Sequence, residues 1–258
     1  MFTLPHYIWL SICVTFITVS LIVLLKKKVE LQKVINIMFV IAIVCELIKI
    51  LGSMKMISNE EGNYYPYIAP DYLPFHLCTI QILLISFVRF SKPSKIRTTI
   101  LAFMFPTCLL GAFLAILMPS TFGDGLHPFK DLVSYEYFIY HSCLVIFGFY
   151  IALSKQVEIK AKNYFTTIAI LLVLGFISLY LNAAFSVVDY EKMEYLYVVN
   201  FFFTFDNPLG IKMTELWHWY LYLVIIFSAV FILIGIVYYP FFVKYFKEKK
   251  FLKEKGEL

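Results

Sequence analysis

Charged residues are scarce in this sequence: Asp, Glu, Lys and Arg make up only 15% of its 258 residues, whereas 61% are hydrophobic. A soluble domain typically has about 25% charged and roughly 45–50% apolar residues. The shortage of charge therefore excludes a water-soluble enzyme and a disordered chain. The net charge of +5 is also too small to indicate nucleic-acid binding. The composition predicts an integral membrane protein.

Cysteine is absent from every predicted loop, and no internal repeat is present. A disulfide framework is therefore excluded, and most of the thiols are expected to act as small apolar side chains. The lack of a period of roughly 20–50 residues excludes a repeat array. The five cysteines all fall inside long apolar runs, at Cys13, Cys45, Cys78, Cys108 and Cys143.

Seven apolar runs are long enough to cross a membrane as helices, since a crossing needs about 20 residues. None of them alternates as the strands of a membrane β-barrel do. The sequence therefore predicts an all-α, polytopic, seven-transmembrane-helix bundle that forms a single domain over 1–258, with an aromatic-rich external loop at 188–213. The predicted helices cover residues 6–25, 34–54, 72–90, 98–118, 135–154, 163–187 and 214–243.

Lys and Arg are absent before the first predicted helix, so this segment is not expected to be a cleavable signal peptide. Of the 22 basic residues, 17 follow the first, third, fifth and seventh predicted helices. Acidic residues, among them Asp71, Asp131 and Glu136, collect toward the opposite side. Because positive residues mark the cytoplasmic side, the N-terminus is predicted to lie outside and the C-terminus inside.

Polar residues at membrane depth are rare, and they gather in the outer halves of the predicted helices. Placing an ionisable residue there costs about 2.5–3.5 kcal/mol, so the cluster indicates a functional site. Structural interpretations stand beside this one. Glu46 and Lys49 can pair on one helix face, His218 suits a helix start, and Asn182 suits helix packing. The candidate site residues are Glu46, Lys49, His76, Cys78, Gln81, Tyr137, His141, Asn182 and His218.

Cys78 and His141 together suggest nucleophilic catalysis. A thiol is a weak nucleophile until a neighbouring imidazole takes its proton. His76 lies two residues before Cys78, and on a regular helix the two side chains would point to nearly opposite sides. His141, predicted at the same depth on another helix, is therefore the better base. The alternative is that His141 only forms a hydrogen bond across the bundle.

The other candidates would support this pair. Asn182 or Tyr137 would orient the imidazole, while Gln81 or His76 would donate to the oxyanion. A metal site built from the histidines and Cys78 is a further alternative, but the spacing of His76 and Cys78 is poor for two ligands of one ion. No metal and no cofactor are expected.

Three segments carry a resemblance to a known family: Leu73-Pro-Phe-His-Leu-Cys78, Tyr140-His-Ser142 and Leu181-Asn182. The sequence resembles YwaF-type bacterial integral membrane proteins, which are similar to the eukaryotic transmembrane protein 164 acyltransferase family. The resemblance implies a seven-helix, multi-pass protein of the bacterial cell membrane. For the eukaryotic family it also implies Cys-dependent acyl transfer between glycerophospholipids. Carried over to this sequence, the resemblance implies Cys78 as nucleophile, His141 as base and His76 in support.

The leading hypothesis is a membrane-embedded acyltransferase or lipid hydrolase that carries the acyl chain of a phospholipid as a Cys78 thioester. Its partners would be a membrane phospholipid or lysolipid, or a lipidated acceptor, and no nucleic acid. The alternative is a transporter or ligand-binding membrane protein, in which the same polar residues line an outward-facing pocket. The missing internal repeat counts against an alternating-access transporter.

Overall fold

The structure is a computed structural model that describes residues 3–59, 61–119, 129–192, 194–207 and 212–255. Helices dominate this part of the chain, which confirms the prediction of an all-α membrane protein. The helices are α1 (Leu4–Lys26), α2 (Leu31–Ser53), α3 (Leu77–Phe90), α4 (Lys95–Leu117), α5 (Leu132–Leu153), α6 (Asn163–Phe185) and α7 (Leu216–Glu254).

Among the described helices, six are long and apolar enough to cross a membrane. The exception is α3, which has 14 residues. At about 1.5 Å per residue it is roughly 21 Å long, whereas the hydrocarbon core is roughly 30 Å thick. The chain that leads into α3 must therefore cover part of any crossing made by this segment.

The helix α3 begins at Leu77, whereas the apolar run predicts a helix from residue 72. Residues Pro70–Tyr72 form a single 3₁₀ turn, and Leu73 is extended with φ −65° and ψ 151°. Leu73 precedes Pro74, and proline disfavours the helical conformation of the residue before it. Pro74 therefore lies ahead of the helix and not in its first turn. His76 is the extended N-cap residue.

Two short antiparallel hairpins interrupt the helical pattern. In the first, β1 (Lys55–Ser58) pairs with β2 (Tyr64–Tyr67), with Ile57 opposite Tyr65. In the second, β3 (Val187–Asp189) pairs with β4 (Glu194–Tyr197). Apart from Val187, the second hairpin lies within the predicted external loop. Residues 193 and 208–211 of that loop lie outside the described part. Each hairpin begins directly after a long helix, α2 or α6.

The chain divides into two compact units, Met1–Val157 and Glu158–Leu258. In the first unit, α5 is the central helix and packs against α1, α2 and α4. Gly148 permits the close approach of α5 to α4, because a Cβ atom at this position would lie 2.9 Å from both the Phe105 oxygen and the Leu109 nitrogen. The core of the first unit therefore lies along α5.

The turn between α1 and α2 is held by side chains at, and just after, the C-terminal end of α5. The Tyr150 hydroxyl donates to the Val29 oxygen. The Gln156 amide donates to the same oxygen at 2.8 Å and accepts from the Leu31 backbone nitrogen at 2.7 Å. Buried backbone groups require such partners, and here the partners fix α5 to the α1–α2 turn.

The second unit contains α6, α7 and the second hairpin. A tight turn at Phe201–Phe203 packs on α6, and its residues Phe202 and Phe203 both have left-handed backbone angles, with φ 56° and 54°. Such angles strain residues that carry a Cβ atom. The Trp219 indole donates to the Thr204 oxygen at 2.8 Å, which ties this turn to α7.

Candidate functional site

Cys78 is the second residue of α3 and is partly exposed. Its Sγ atom interacts with the backbone N–H groups of Cys78 and Thr79. The first N–H groups of a helix have no partner within the helix and carry a partial positive charge. This position therefore provides donors to negative charge that forms on the sulfur or on an oxygen bound next to it.

Tyr140 connects the start of α3 to α5. Its hydroxyl donates to the Cys78 backbone oxygen over 2.9 Å, and its side chain is only 3% exposed. The residue that follows Tyr140 is His141, and their ring centroids lie 5.7 Å apart. Sequence reasoning did not give Tyr140 a role, although it stands in the Tyr-His-Ser segment. Its distance from Cys78 along the chain concealed the contact.

The imidazole of His141 is buried, with 5% of the residue exposed. Its Nδ1 atom lies 2.6 Å from the backbone oxygen of Tyr137, one turn earlier on α5. A carbonyl oxygen can only accept a hydrogen bond, so Nδ1 carries the proton and Nε2 keeps its lone pair. Tyr137 thus orients His141 through its backbone, while its hydroxyl donates to the Ala115 oxygen at 2.9 Å.

Lys49 places a cation in this region. It forms an ion pair with Glu46 on the same helix, with 2.7 Å between Nζ and Oε2. It also interacts electrostatically with Cys78, His76 and His141. Together with Tyr137, whose backbone oxygen holds His141, these contacts bring six of the sequence candidates into one neighbourhood of the first unit: Glu46, Lys49, His76, Cys78, Tyr137 and His141.

Glu136 belongs to the same neighbourhood, although its sequence position groups it with the acidic residues of the outer loops. It lies in the first part of α5, is 8% exposed and interacts electrostatically with Lys49 and Cys78. Glu136 and Tyr140 are four residues apart and share one face of α5. The signal that could have found Glu136 is this spacing from the Tyr140-His141 pair.

Gln81 is tied to α4. Its amide nitrogen donates to the Leu77 oxygen at 3.3 Å and to the Thr107 hydroxyl at 3.1 Å. Its amide oxygen accepts from the Cys108 thiol at 3.2 Å. A glutamine has two N–H donors, and both are used in these contacts. Gln81 thus joins α3 to α4 in the structure.

Comparison with known proteins identifies the family of the chain. A model of the TMEM164 family matches residues 1–239. The chain belongs to the TMEM164 family. No curated protein and no solved structure matches it significantly. The family match confirms the similarity to the transmembrane protein 164 family, and the matched range covers the whole of the first unit and the second unit as far as residue 239.

Two further candidate residues of this TMEM164 family member lie in its second unit. Asn182 is fully buried on α6; its amide donates to the Phe201 oxygen and the Thr204 hydroxyl at 3.0 and 2.9 Å, and accepts from the Phe201 nitrogen at 2.7 Å. These contacts hold the left-handed turn. His218, in the first turn of α7, accepts from the Glu215 nitrogen at 3.2 Å. Both residues thus have local partners in their own unit.

The histidines and cysteines of this family member do not form a metal centre in the described part of the chain. No group of three or more His, Cys, Asp or Glu side chains there has an arrangement that could hold a metal ion. His76 precedes the helix, so regular helix geometry does not separate its side chain from that of Cys78. The metal alternative therefore gains no support from the described residues.

Proposed function

We propose that this TMEM164 family protein is a membrane-embedded acyltransferase that moves an acyl chain from a phospholipid through a thioester on Cys78. His141 is the base. The observation that carries the proposal is the Nδ1–H bond from His141 to the Tyr137 oxygen, which leaves Nε2 able to accept a proton. The neighbouring residue, Tyr140, holds the backbone of Cys78. Nucleophile and base are thus linked through adjacent residues of α5.

In the first half-reaction, Nε2 of His141 takes the proton of the Cys78 thiol, and the thiolate attacks the ester carbonyl of the phospholipid. When the tetrahedral intermediate collapses, the bond between the acyl carbon and the lysophospholipid oxygen breaks. That oxygen takes the proton from His141, and the lysophospholipid leaves. In the second half-reaction, the hydroxyl or amine of an acceptor attacks the thioester and gives its proton to His141. The sulfur then leaves as thiolate and recovers that proton. Water as acceptor would make the reaction a hydrolysis.

The negative charge on the tetrahedral intermediate needs hydrogen-bond donors. Both N–H donors of Gln81 are used in its contacts with Leu77 and Thr107. We therefore assign the oxyanion to the backbone N–H groups in the first turn of α3, where Cys78 itself lies, with His76 at the N-cap as a further donor. Lys49, paired with Glu46, contributes positive charge to the same region.

The direct test is to trap the acyl-enzyme. Purified protein in lipid nanodiscs that contain a glycerophospholipid with an isotope-labelled acyl chain is expected to gain that chain on Cys78, and neutral hydroxylamine should release it. The Cys78→Ala variant should gain no chain. Cys143→Ala removes a buried cysteine of α5 and serves as the matched control, which should label fully. Absence of any adduct on Cys78, together with uptake of a polar solute, would instead favour the transporter hypothesis.

We further propose that all seven helices cross the bacterial cell membrane, with the N-terminus outside. The basic segments that follow α1, α3 and α5, together with the basic C-terminal part of α7, fall on one side only if the short α3 also crosses. The non-helical residues 73–76, which lead into α3, would complete the crossing. Other segments of the protein would supply hydrogen-bond partners for their backbone groups. Cysteines introduced at Lys27 and Lys247 should react with an impermeant maleimide only after the membrane is opened. Labelling of either one in intact cells would contradict this orientation.

A further inference from the structure

The first hairpin is exposed on both of its faces. Every described residue from Met54 to Tyr67 has an exposed side chain, and the apolar members include Met56 at 60%, Ile57 at 48% and Tyr65 at 56% exposure. An isolated two-stranded hairpin is only marginally stable in water. Exposed apolar side chains on such a hairpin therefore indicate a surface that covers it.

The pairing register sorts these side chains by face. Directly opposite residues lie on the same face, and successive residues alternate. Ile57 opposes Tyr65, and Lys55 opposes Tyr67, so these four residues form one face. This face combines an apolar pair, a second tyrosine and one cation. Tyrosine is typical of the membrane interface, and a lysine amine suits lipid phosphate.

The first hairpin is held close to the end of α2. The helix α2 ends at Ser53 and β1 begins at Lys55, so a single residue joins them. Exposed apolar side chains run along one side of α2 toward the hairpin, at Val40, Val44, Leu47 and Leu51. Their spacing of three to four residues makes a continuous stripe. The hairpin therefore continues the surface that a membrane-spanning α2 presents to lipid.

We propose that the β1–β2 hairpin is a membrane-interface anchor whose Lys55, Ile57, Tyr65 and Tyr67 face rests in the phosphate and glycerol region of the outer leaflet. The tyrosine rings and Ile57 lie at the level of the glycerol esters, and Lys55 binds lipid phosphate. The polar turn around Asn59 and Asn63 faces water. This assignment uses the orientation proposed above and holds whatever reaction Cys78 performs.

The second hairpin independently fits a position at the membrane interface. It follows α6 after a single residue and also carries exposed apolar side chains, with Val187 at 49%, Tyr195 at 56% and Leu196 at 68% exposure. In the proposed orientation, α6 also ends at the outer surface. Two hairpins that both carry exposed tyrosine and aliphatic side chains, each fixed at the end of an apolar helix, fit the same lipid environment.

Spin-label accessibility tests the anchor. Single cysteines replace Tyr65, Ile57, Tyr67 or Asn63 in full-length Cys78→Ala protein, whose four remaining native cysteines are buried. The labelled proteins are reconstituted in vesicles of phosphatidylethanolamine and phosphatidylglycerol. Labels at Tyr65, Ile57 and Tyr67 are expected to collide several-fold less with a water-soluble nickel chelate than the Asn63 label does, and more with oxygen. The three positions on one face keep the test informative if one substitution prevents folding.

Two results would overturn the proposal. Equal nickel accessibility at Tyr65 and Asn63 would show that the face is in water. Low accessibility to both nickel and oxygen at Tyr65 would show that protein covers it, and dipolar broadening between labels would then identify a second copy of the chain as the cover. Failure of the acyl-transfer reaction would affect neither reading, because the accessibility measurement needs no substrate.

Discussion

Replacing His141 with alanine is expected to lower the turnover of acyl transfer by roughly 10²- to 10⁴-fold, the usual contribution of a general base. The substitution removes the Nε2 lone pair, which the proposed mechanism uses in both half-reactions. The reduction should appear in kcat, with little change in KM, since His141 acts on the proton and not on the lipid. Rates of Cys78 acylation in nanodiscs, measured by mass spectrometry, would report this effect.

His6 offers a matched control for this experiment. It is also a buried histidine, and its Nε2 atom lies 3.0 Å from the backbone oxygen of Ile116, so the two rings have similar surroundings. His6→Ala is expected to lower thermal stability and leave the rate of acylation per folded molecule unchanged. Equal losses of rate in the two variants would attribute the effect to packing. Full turnover in His141→Ala would require a different base.

Gly148→Ala should destabilise the protein by about 1–3 kcal/mol, the usual cost of overpacking a close-packed interface. The added Cβ atom would lie 2.9 Å from two backbone atoms of α4, and backbone yields less readily than the end of a side chain. Because α5 is the central helix of the first unit, separating it from α4 would disturb both the core and the position of His141. Thermal unfolding in detergent would measure the loss.

Gly111→Ala is the matched control, on α4. A Cβ atom there would lie 3.5 Å from the nearest heavy atom, the Leu77 Cδ2, which is an ordinary van der Waals contact. Alanine also has the higher helix propensity, by roughly 1 kcal/mol. Gly111→Ala should therefore be neutral or slightly stabilising. A Gly148→Ala variant as stable as Gly111→Ala would show that α4 and α5 are not in close contact at this point.

The membrane class and the long helices follow from the sequence because hydropathy over about 20 residues is a strong, local signal. The start of α3 depends on finer chemistry. Pro74 forces Leu73 into an extended conformation, and an apolar window does not detect this effect. The sequence pattern does not predict the hairpins either, because strands of three or four residues are too short to show alternation.

The candidate site is predicted in part because intramembrane polar residues are conspicuous one by one. Lys49, His76 and His141 are found in this way. The contact between Tyr140 and Cys78 joins residues that are far apart in the chain, and a tyrosine in an apolar helix is not conspicuous. Asn182 shows that an intramembrane polar residue does not by itself identify a functional site. Its amide serves as hydrogen-bond partner to the backbone of a strained turn, at Phe201.

The contacts of Tyr150 and Gln156 with the α1–α2 turn fix one end of α5, and the candidate site lies toward the other end. The Val29 oxygen holds the inner end of the helix in the proposed orientation, while His141 lies more than two turns away toward the other end. A tilt of α5 against the other helices of the first unit would therefore pivot near Tyr150. A small rotation at this pivot would displace His141 and Tyr140 together, so the proposed base and the hydroxyl that holds the Cys78 backbone would move as one body.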